Sequence, residues 1–313
     1  MLYVVAKLRI ADELKAGALT VRALARRTST NEDSLYRLLR TLAGLGVFSE
    51  SEGPTFQLNA LGSLLVSGVP GSLRVSAEVA GEPWMWGPWG NLMHSIKTGE
   101  VAFDKLYGKH TWDWFAENPG PAQVFNAFMD EITGSETQAV ITGYDFSTAR
   151  NVVDIGGGRG VLLAAVLWKN SQARGTLFDL PQVIEAAKQT MDPQVASHID
   201  FVPGDFFKAV PSGGDLYLLK NILHDWSDEE SRKILSVVRR NMNGSSRILL
   251  IEHIVCEPNK ACVGKSSDIQ MMVRNGGRNR TESEYRNLLR AGGFNLLRVV
   301  PTAGPGIIEA APL

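Results

Sequence analysis

The spacing of apolar residues divides the chain into a helical first part and an alternating second part. Up to roughly residue 140, apolar positions recur at helical intervals and predict helices over 8–14, 21–25 and 34–45, the first ending at Gly17. Two short segments, 47–50 and 55–58, flank a Gly-Pro turn and predict a β-hairpin. Three short helices followed by a hairpin predict a winged helix.

From Asn151 onward the pattern changes to strand, turn and helix, repeated. Apolar runs predict five strands, at 152–155, 176–178, 199–202, 216–219 and 248–251, with helical stretches between them and two further strands near 296–300 and 306–310. Short buried strands that alternate with helices are typical of a parallel sheet covered on both faces. We therefore predict an α/β domain over 146–313, a winged-helix domain over 1–95, and a helical connecting segment over 96–145 that lines a substrate pocket.

Composition and charge disfavour polyanionic partners. The 313 residues carry a formal net charge of -1, so nothing attracts the chain to nucleic acid or to an anionic membrane. No apolar run approaches the ~18 residues of a membrane span, and we expect a soluble, cytoplasmic protein. Arg37 and Arg40 on the third helix lie among core leucines and mixed charges, which favours a structural or dimerising role for the winged helix over DNA binding.

Two other residue types narrow the chemistry. Cys256 and Cys262 have no further cysteine and no histidine cluster beside them, so we expect reduced thiols and no metal site. Five of the seven tryptophans fall within 84–114. Such aromatic density favours core packing, and the wall of a pocket for a flat aromatic ligand remains the alternative.

A glycine-rich turn follows the first strand of the α/β part. Asp154 to Gly160 read D-x-G-x-G-x-G, whereas a nicotinamide fingerprint would need a third glycine where Val161 or Leu163 stands. The observed pattern is that of S-adenosylmethionine enzymes. A tight strand-to-helix turn that needs glycine for its backbone alone is the alternative.

Acidic residues end the next two strands. Asp179 lies nineteen residues after Gly160, where a carboxylate can accept hydrogen bonds from both ribose hydroxyls of a nucleoside. Asp205, within the sequence Gly-Asp-Phe-Phe, ends the third strand. It can accept from an adenine amino group while a phenyl ring stacks on the base, or it can simply cap a turn.

A histidine follows the fourth strand. Ser227 and Glu230 form a predicted capping box that starts the next helix, which holds His224 on a short turn beside the glycines. A phenol with pKa near 10 needs its proton removed before it can attack, and an imidazole with pKa near 6.5 is a suitable base. Glu252, at the end of the adjacent fifth strand, would orient it. A surface histidine next to a helix cap is the alternative.

Taken together, these motifs resemble the plant and bacterial small-molecule O-methyltransferases of the caffeic acid and hydroxyindole type, which depend on S-adenosylmethionine. The similarity covers nearly the whole chain, and its motifs lie at the winged helix and at 154–160, 178–181, 204–207, 224–229 and 276–281. The implied fold is a Rossmann-like seven-stranded methyltransferase sheet preceded by a winged-helix dimerisation domain. The implied reaction is methyl transfer to a hydroxyl of a small aromatic molecule by a homodimer, without metal.

The resemblance assigns roles to individual residues. It makes His224 the general base, Glu252 its orienting partner and Asp225 a residue at the acceptor. The expected cofactor contacts are Asp154, Gly156, Gly158, Asp179, Leu180, Gly204, Asp205, Phe206 and Lys220. The expected acceptor contacts are Phe125 and Met129, one helical turn apart, with Trp226, Met272, Asn275 and Asn279.

The sequence departs from the family pattern in two places. Family members usually begin with another helix upstream of residue 1, so we expect the chain to be short or truncated there. They also commonly carry a second glutamate beside the histidine, where this chain has Asn279. Two alternatives stay open: the same scaffold acting as a hydroxylase, decarboxylase or pericyclase, and a winged-helix regulator. The sequence does not identify the methyl acceptor.

Overall fold

The computed structural model describes residues 1–69 and 71–313, which form two compact units. Unit 1 consists of Met1–Gly87 and Asn118–Glu131, and unit 2 of Pro88–Glu117 and Ile132–Leu313. The division into parts 1–95, 96–145 and 146–313 stays a prediction.

Unit 1 contains the winged helix. Its helices are α1 (Leu2–Lys7), α2 (Ile10–Glu13), α3 (Val21–Thr28), α4 (Glu32–Gly44), α5 (Ala60–Ser63) and α6 (Arg74–Val79), and its strands are β1 (Leu19–Thr20), β2 (Phe48–Ser51) and β3 (Thr55–Leu58). The strands form an antiparallel sheet in the order β1-β3-β2, which confirms the hairpin. Leu24, Leu39 and Phe56 are fully buried in its core.

The single helix predicted over 8–14 is wrong. Arg9 adopts left-handed backbone angles with φ of 54° and separates α1 from α2, and a 3-10 turn over Leu14–Ala16 follows. The change of chain direction at Arg9 allows Val5 of α1 and Ile10 of α2 to be buried together in one cluster. The predicted end at Gly17 is confirmed, since that residue has φ of 140°.

The remaining helices begin near the tryptophan-rich segment, and two of them, α7 and α11, have residues in both units. They are α7 (Pro83–Gly90), α8 (Leu92–Thr98), α9 (Ala102–Tyr107), α10 (Thr111–Glu117), α11 (Pro119–Gly143), α12 (Val161–Lys169), α13 (Pro181–Thr190), α14 (Pro193–Ala196), α15 (Asp228–Asn241), α16 (Val263–Arg274) and α17 (Glu282–Ala291). The strands are β4 (Asn151–Ile155), β5 (Arg174–Asp179), β6 (Ile199–Pro203), β7 (Leu216–Lys220), β8 (Arg247–Glu252), β9 (Phe294–Val300) and β10 (Gly306–Pro312).

Unit 2 is built on the predicted seven-stranded sheet, with strand order β6-β5-β4-β7-β8-β10-β9. Strands β4 to β8 are parallel, and β10 is antiparallel to both of its neighbours. Alternate residues along a strand enter two separate cores, as Val152 and Val153 do, because successive side chains point to opposite faces. The strand order reverses between β4 and β7, so their carboxyl ends mark the expected binding crevice.

Several sequence expectations have structural outcomes outside the site. Core packing holds for part of the tryptophan-rich segment: in unit 2, Trp114 packs with Phe103 and Tyr107 within 5.7 Å between ring centroids, whereas Trp86 in unit 1 is 67% exposed. The expectation of reduced thiols is wrong, because Cys256 and Cys262 form a disulfide with Cα atoms 6.3 Å apart, a spacing that disulfides require. Within 1–69 and 71–313, no helix combines the length and apolarity needed to cross a membrane.

Candidate active site

The glycine turn after β4 has a backbone that only glycine adopts easily. Gly156, Gly158 and Gly160 have φ between 60° and 79°. A Cβ at Gly156 would lie 2.4 Å from Ile222 Cδ1, whereas one at Gly158 would meet no described atom within 4 Å. The turn therefore needs its glycines for its own geometry and also leaves open space at Gly158.

Two carboxylates face this turn, with Asp154 buried and Asp179 half-buried. Asp179 accepts hydrogen bonds from the backbone N–H groups of Gly158 and Leu180, at 2.8 Å and 2.7 Å. Burial raises its pKa to about 6, against the opposing effect of those two bonds. Asp154 is 1% exposed, and its Oδ2 has no hydrogen-bond partner among the described residues. Burial and the charge of Asp179 raise the pKa of Asp154 to about 7.

The loop after β6 is held by its own carboxylate. Asp205 Oδ1 accepts from the Phe207 N–H at 2.9 Å, and Oδ2 lies 3.1 Å from the Lys208 ammonium, so the turn cap foreseen as an alternative is present. A Cβ at Gly204 would lie 2.3 Å from the Phe178 ring, which explains the glycine. Phe206 is half-buried near Trp226, with the two rings edge to face and their centroids 6.1 Å apart.

Lys220 ends β7 in a buried ion pair. Its ammonium lies 2.6 Å from Glu136 on α11 and also donates to the Thr133 hydroxyl at 3.3 Å. The other oxygen of Glu136 lies 2.7 Å from Nε2 of His253. Burial would raise the pKa of Glu136, but His253 and Lys220 together outweigh it and lower that pKa. Sequence reasoning missed Glu136, because a glutamate on a long helix usually faces solvent.

The predicted base lies on a turn fixed from two sides. A 3-10 turn over Leu223–Asp225 carries His224, and the predicted capping box of Ser227 and Glu230 is present. Arg280 donates to the carbonyls of Leu223 and Trp226, at 2.9 Å and 3.0 Å, and is itself 1% exposed. His224 is 8% exposed, so the surface-histidine alternative is wrong.

Carboxylates lie near both nitrogens of the His224 ring. Glu252 Oε2 is 3.2 Å from Nδ1, and Asp225 Oδ1 is 3.7 Å from Nε2. Glu252 is fully buried, and its other oxygen accepts from the Leu223 N–H at 3.0 Å. Burial would lower the pKa of His224, but the charges of Glu252 and Asp225 outweigh burial and the opposing charge of Lys220, so the pKa is raised. The arrangement can accept a proton and stabilise the resulting imidazolium.

The backbone after α16 packs directly on this turn. A Cβ at Gly277 would lie 2.1 Å from the His224 carbonyl oxygen and 2.3 Å from the Asp225 carbonyl carbon. Gly276 has φ of 72°. Glycine at 277 therefore lets the segment pass against the turn that carries the base, and glycine at 276 allows the left-handed backbone that follows Asn275.

Among the predicted acceptor contacts, two amides are already engaged. Asn275 donates to Asp225 Oδ1 and accepts from Arg274 Nε at 2.9 Å. Asn279 donates to the His253 carbonyl at 2.9 Å and accepts from the Ser267 hydroxyl at 3.4 Å. The Asn279 backbone N–H donates to Asp268. Among the described residues, Asn279 therefore makes no hydrogen bond to the His224 ring.

The other predicted contacts are dispersed. Trp226 follows the His224 turn and stacks on His110 with centroids 5.9 Å apart, and Met272 lies half-buried on α16. Leu180 is 45% exposed after β5. Phe125 and Met129 belong to unit 1, where Phe125 packs edge to face against Trp84. Their role as an acceptor clamp stays a prediction.

Comparison with known families agrees with this geometry. Residues 89–295 match the model of the O-methyltransferase domain, and residues 1–68 match the O-methyltransferase dimerisation domain. The chain belongs to the O-methyltransferase family. Its glycine turn, the two carboxylates beside it and the Asp154 oxygen that lacks a hydrogen-bond partner among the described residues fit a polar nucleoside cofactor. This O-methyltransferase uses S-adenosylmethionine.

Individual relatives of this O-methyltransferase cover almost the full chain. It is 40% identical to the phenazine O-methyltransferase PhzM of Lysobacter antibioticus, over 100% of this chain and 92% of that protein. The crystal structure of LaPhzM superposes with a TM-score of 0.97 at 40% identity, covering 100% of this chain and 94% of the other. The crystal structure of CalO1, a methyltransferase in calicheamicin biosynthesis in its SAH-bound form, gives 0.84 at 32% identity and covers 100% and 93%.

A further relative has a different activity in its name. The aclacinomycin 10-hydroxylase RdmB of Streptomyces purpurascens is 33% identical over 94% of this chain and 80% of its own length. The name of that relative gives it a hydroxylase activity.

Proposed function

We propose that this enzyme transfers the methyl group of S-adenosylmethionine to a hydroxyl of a small aromatic metabolite, with His224 as general base. The observation that carries the proposal is the buried pair of His224 and Glu252, 3.2 Å apart. His224 lies on the turn that begins after Ile222, the residue that a Cβ at Gly156 would strike, and Glu252 approaches it from the end of β8. The name of the phenazine O-methyltransferase supports an aromatic acceptor.

The reaction follows from the roles of the chain's own groups. The cofactor would supply an electrophilic methyl carbon bonded to a sulfonium sulfur, and that sulfur would keep the electron pair of the broken C–S bond in the leaving product, S-adenosylhomocysteine. His224 Nε2 accepts the acceptor's hydroxyl proton as the oxygen forms its new bond to carbon. Glu252 holds Nδ1 and stabilises the imidazolium, which later releases its proton to water. Positioning of the two reactants supplies much of the acceleration.

The test uses the full-length protein, S-adenosylmethionine labelled in its methyl group, and a panel of hydroxyphenazines, naphthols, hydroxybenzoates and hydroxyindoles. We expect label on a hydroxyl oxygen of at least one acceptor. His224→Ala should lose ~10²–10⁴-fold in turnover while S-adenosylhomocysteine affinity stays unchanged. His94→Ala is the matched control, because His94 also lies 3.2 Å from a glutamate but on α8.

The alternatives give different products. A hydroxylase would add oxygen to an acceptor without transferring label, and a decarboxylase would release carbon dioxide. Either product in place of labelled ether would overturn the proposal. We further propose a homodimer built through the region that matches the dimerisation domain, with no nucleic-acid partner. A gel shift with duplex DNA tests the winged-helix regulator, and a specific shift would favour it.

A further inference from the structure

We propose that Asp225 is the second carboxylate of the base, held at Nε2 of His224 by Asn275, with Arg274 as the residue that orients Asn275. The proposal rests on His224 being the general base. Asn275 then has a positioning role in place of the acceptor contact that the sequence predicts. Arg274, which the sequence analysis does not place in the site, becomes a positioning residue as well.

The first step concerns the missing glutamate. Glu252 supplies one negative charge, at Nδ1 of His224, while position 279 carries a neutral amide whose hydrogen bonds go to His253 and Ser267. Asp225 Oδ1 lies 3.7 Å from Nε2. A proton that arrives on Nε2 therefore meets a carboxylate at ion-pair distance, and an opposite charge within ~4–6 Å favours the charged imidazolium.

The second step concerns how Asp225 is kept there. The oxygen that faces Nε2 is also the one that accepts from the Asn275 amide. Asn275 can present only its NH2 group to Asp225, because its Oδ1 accepts from Arg274 Nε at 2.9 Å. Asn275 and Arg274 are each 4% exposed, so water does not compete freely for these bonds.

The third step concerns the backbone of the pair. The Thr111 hydroxyl donates to the Arg274 carbonyl, and His110 Nε2 lies 3.0 Å from the Asn275 carbonyl oxygen. His110 also stacks on Trp226, the residue after Asp225. The start of α10 therefore fixes the pair against the turn that carries the base.

The charges around the ring determine the direction of the effect. Glu252 from β8 and Asp225 from its own turn raise the pKa of His224, and Lys220 from β7 lowers it. Arg274 from α16 faces Asp225. Releasing Asp225 removes one of the two charges that favour imidazolium, so the pKa of His224 falls and the base is unprotonated at lower pH. The imidazolium formed during turnover is then less stable, and the maximal rate falls as well.

The experiment compares Asn275→Ala with wild type in kcat/KM against pH, and in an NMR titration of the histidine rings in the complex with S-adenosylhomocysteine. We expect the midpoint of the rising limb and the midpoint of the His224 NMR titration each to fall by about one pH unit. We also expect kcat to be roughly tenfold lower. Asp225→Asn should move both similarly, and the double variant should add little to either single variant. Asn170→Ala is the matched control, since Asn170 is a buried amide that donates to the Phe146 and Ala149 carbonyls.

Two results would overturn the inference. The first is that Asn275→Ala leaves the midpoints of the rising limb and of the His224 NMR titration unchanged. The second is an unchanged limb with a raised KM for the acceptor, which would return Asn275 to the acceptor contact predicted from sequence. Both leave the proposed function intact as long as His224→Ala is inactive. Full activity of His224→Ala would instead refute the proposed function itself.

Discussion

Replacing Glu252 by glutamine tests the orienting partner with almost no change of shape. The carboxylate is 0% exposed and 3.2 Å from His224 Nδ1, so at an effective dielectric constant near 20 the charge pair is worth at most ~5 kcal/mol. The amide also presents donors where the carboxylate accepts. If its oxygen keeps the Leu223 N–H, its NH2 group faces Nδ1 and favours the tautomer that carries hydrogen on Nε2, which cannot take the acceptor's proton.

We therefore expect kcat to fall by ~10²–10⁴-fold for Glu252→Gln. The rising limb of kcat/KM against pH should move to lower pH, because the raised pKa of His224 depends on this charge. The assay is methyl transfer to a phenolic acceptor across a pH series, with S-adenosylhomocysteine affinity measured by calorimetry.

Glu309→Gln is the matched control. Glu309 is a buried carboxylate on β10 that pairs with Arg298 at 2.6 Å, and it lies opposite Leu249, three positions along β8 from Glu252. It should lose stability without losing rate. A near wild-type rate for Glu252→Gln, or an equal loss for both variants, would refute the orienting role.

Four further outcomes follow from the structure and the family comparison. Because the pKa of Asp179 is about 6 and only the ionised form accepts from two hydroxyls, calorimetric affinity for S-adenosylhomocysteine should fall as pH drops from neutral through that value. Asp179→Ala should weaken binding at neutral pH by ~1.5–3 kcal/mol, and unchanged affinity would exclude the contact. Asn279→Glu removes the donor to the part-buried His253 carbonyl and should lower the free energy of unfolding by ~1–3 kcal/mol in chemical denaturation, so equal stability would contradict the observed bond. Light scattering at micromolar concentration should give twice the chain mass, and a monomer would rule out the predicted homodimer.

The parts of the fold that sequence predicts are those with a simple periodicity. The seven strands of the main sheet could be located because apolar runs such as Leu216–Lys220 end abruptly at polar residues, and the helix after His224 because Ser227 and Glu230 cap each other. The break at Arg9 carries no such signal, since apolar spacing continues through it while the backbone turns. The disulfide was missed because two cysteines six positions apart do not define a pairing by themselves.

The same limit applies to the site. The motif positions predicted that His224 and Glu252 meet. His224 follows β7 and Glu252 ends β8, and these two strands are parallel neighbours in the sheet. What each polar side chain bonds to is a tertiary property. Asn275 and Asn279 look equally suited to an acceptor, yet one amide is used by Asp225 and the other by a backbone carbonyl. The sequence pattern does not indicate that Arg280 is buried against the turn that carries His224.

Proton removal by His224 is tested most directly with two phenolic acceptors of similar shape and different acidity. One has an ordinary pKa near 10, and the other is electron-poor and already ionised at the assay pH. His224→Ala should lose ~10²–10⁴-fold on the ordinary phenol and retain close to the wild-type rate on the ionised one, because that acceptor no longer needs a base. An equal loss on both acceptors, or no loss on either, would contradict a role for His224 in removing the proton.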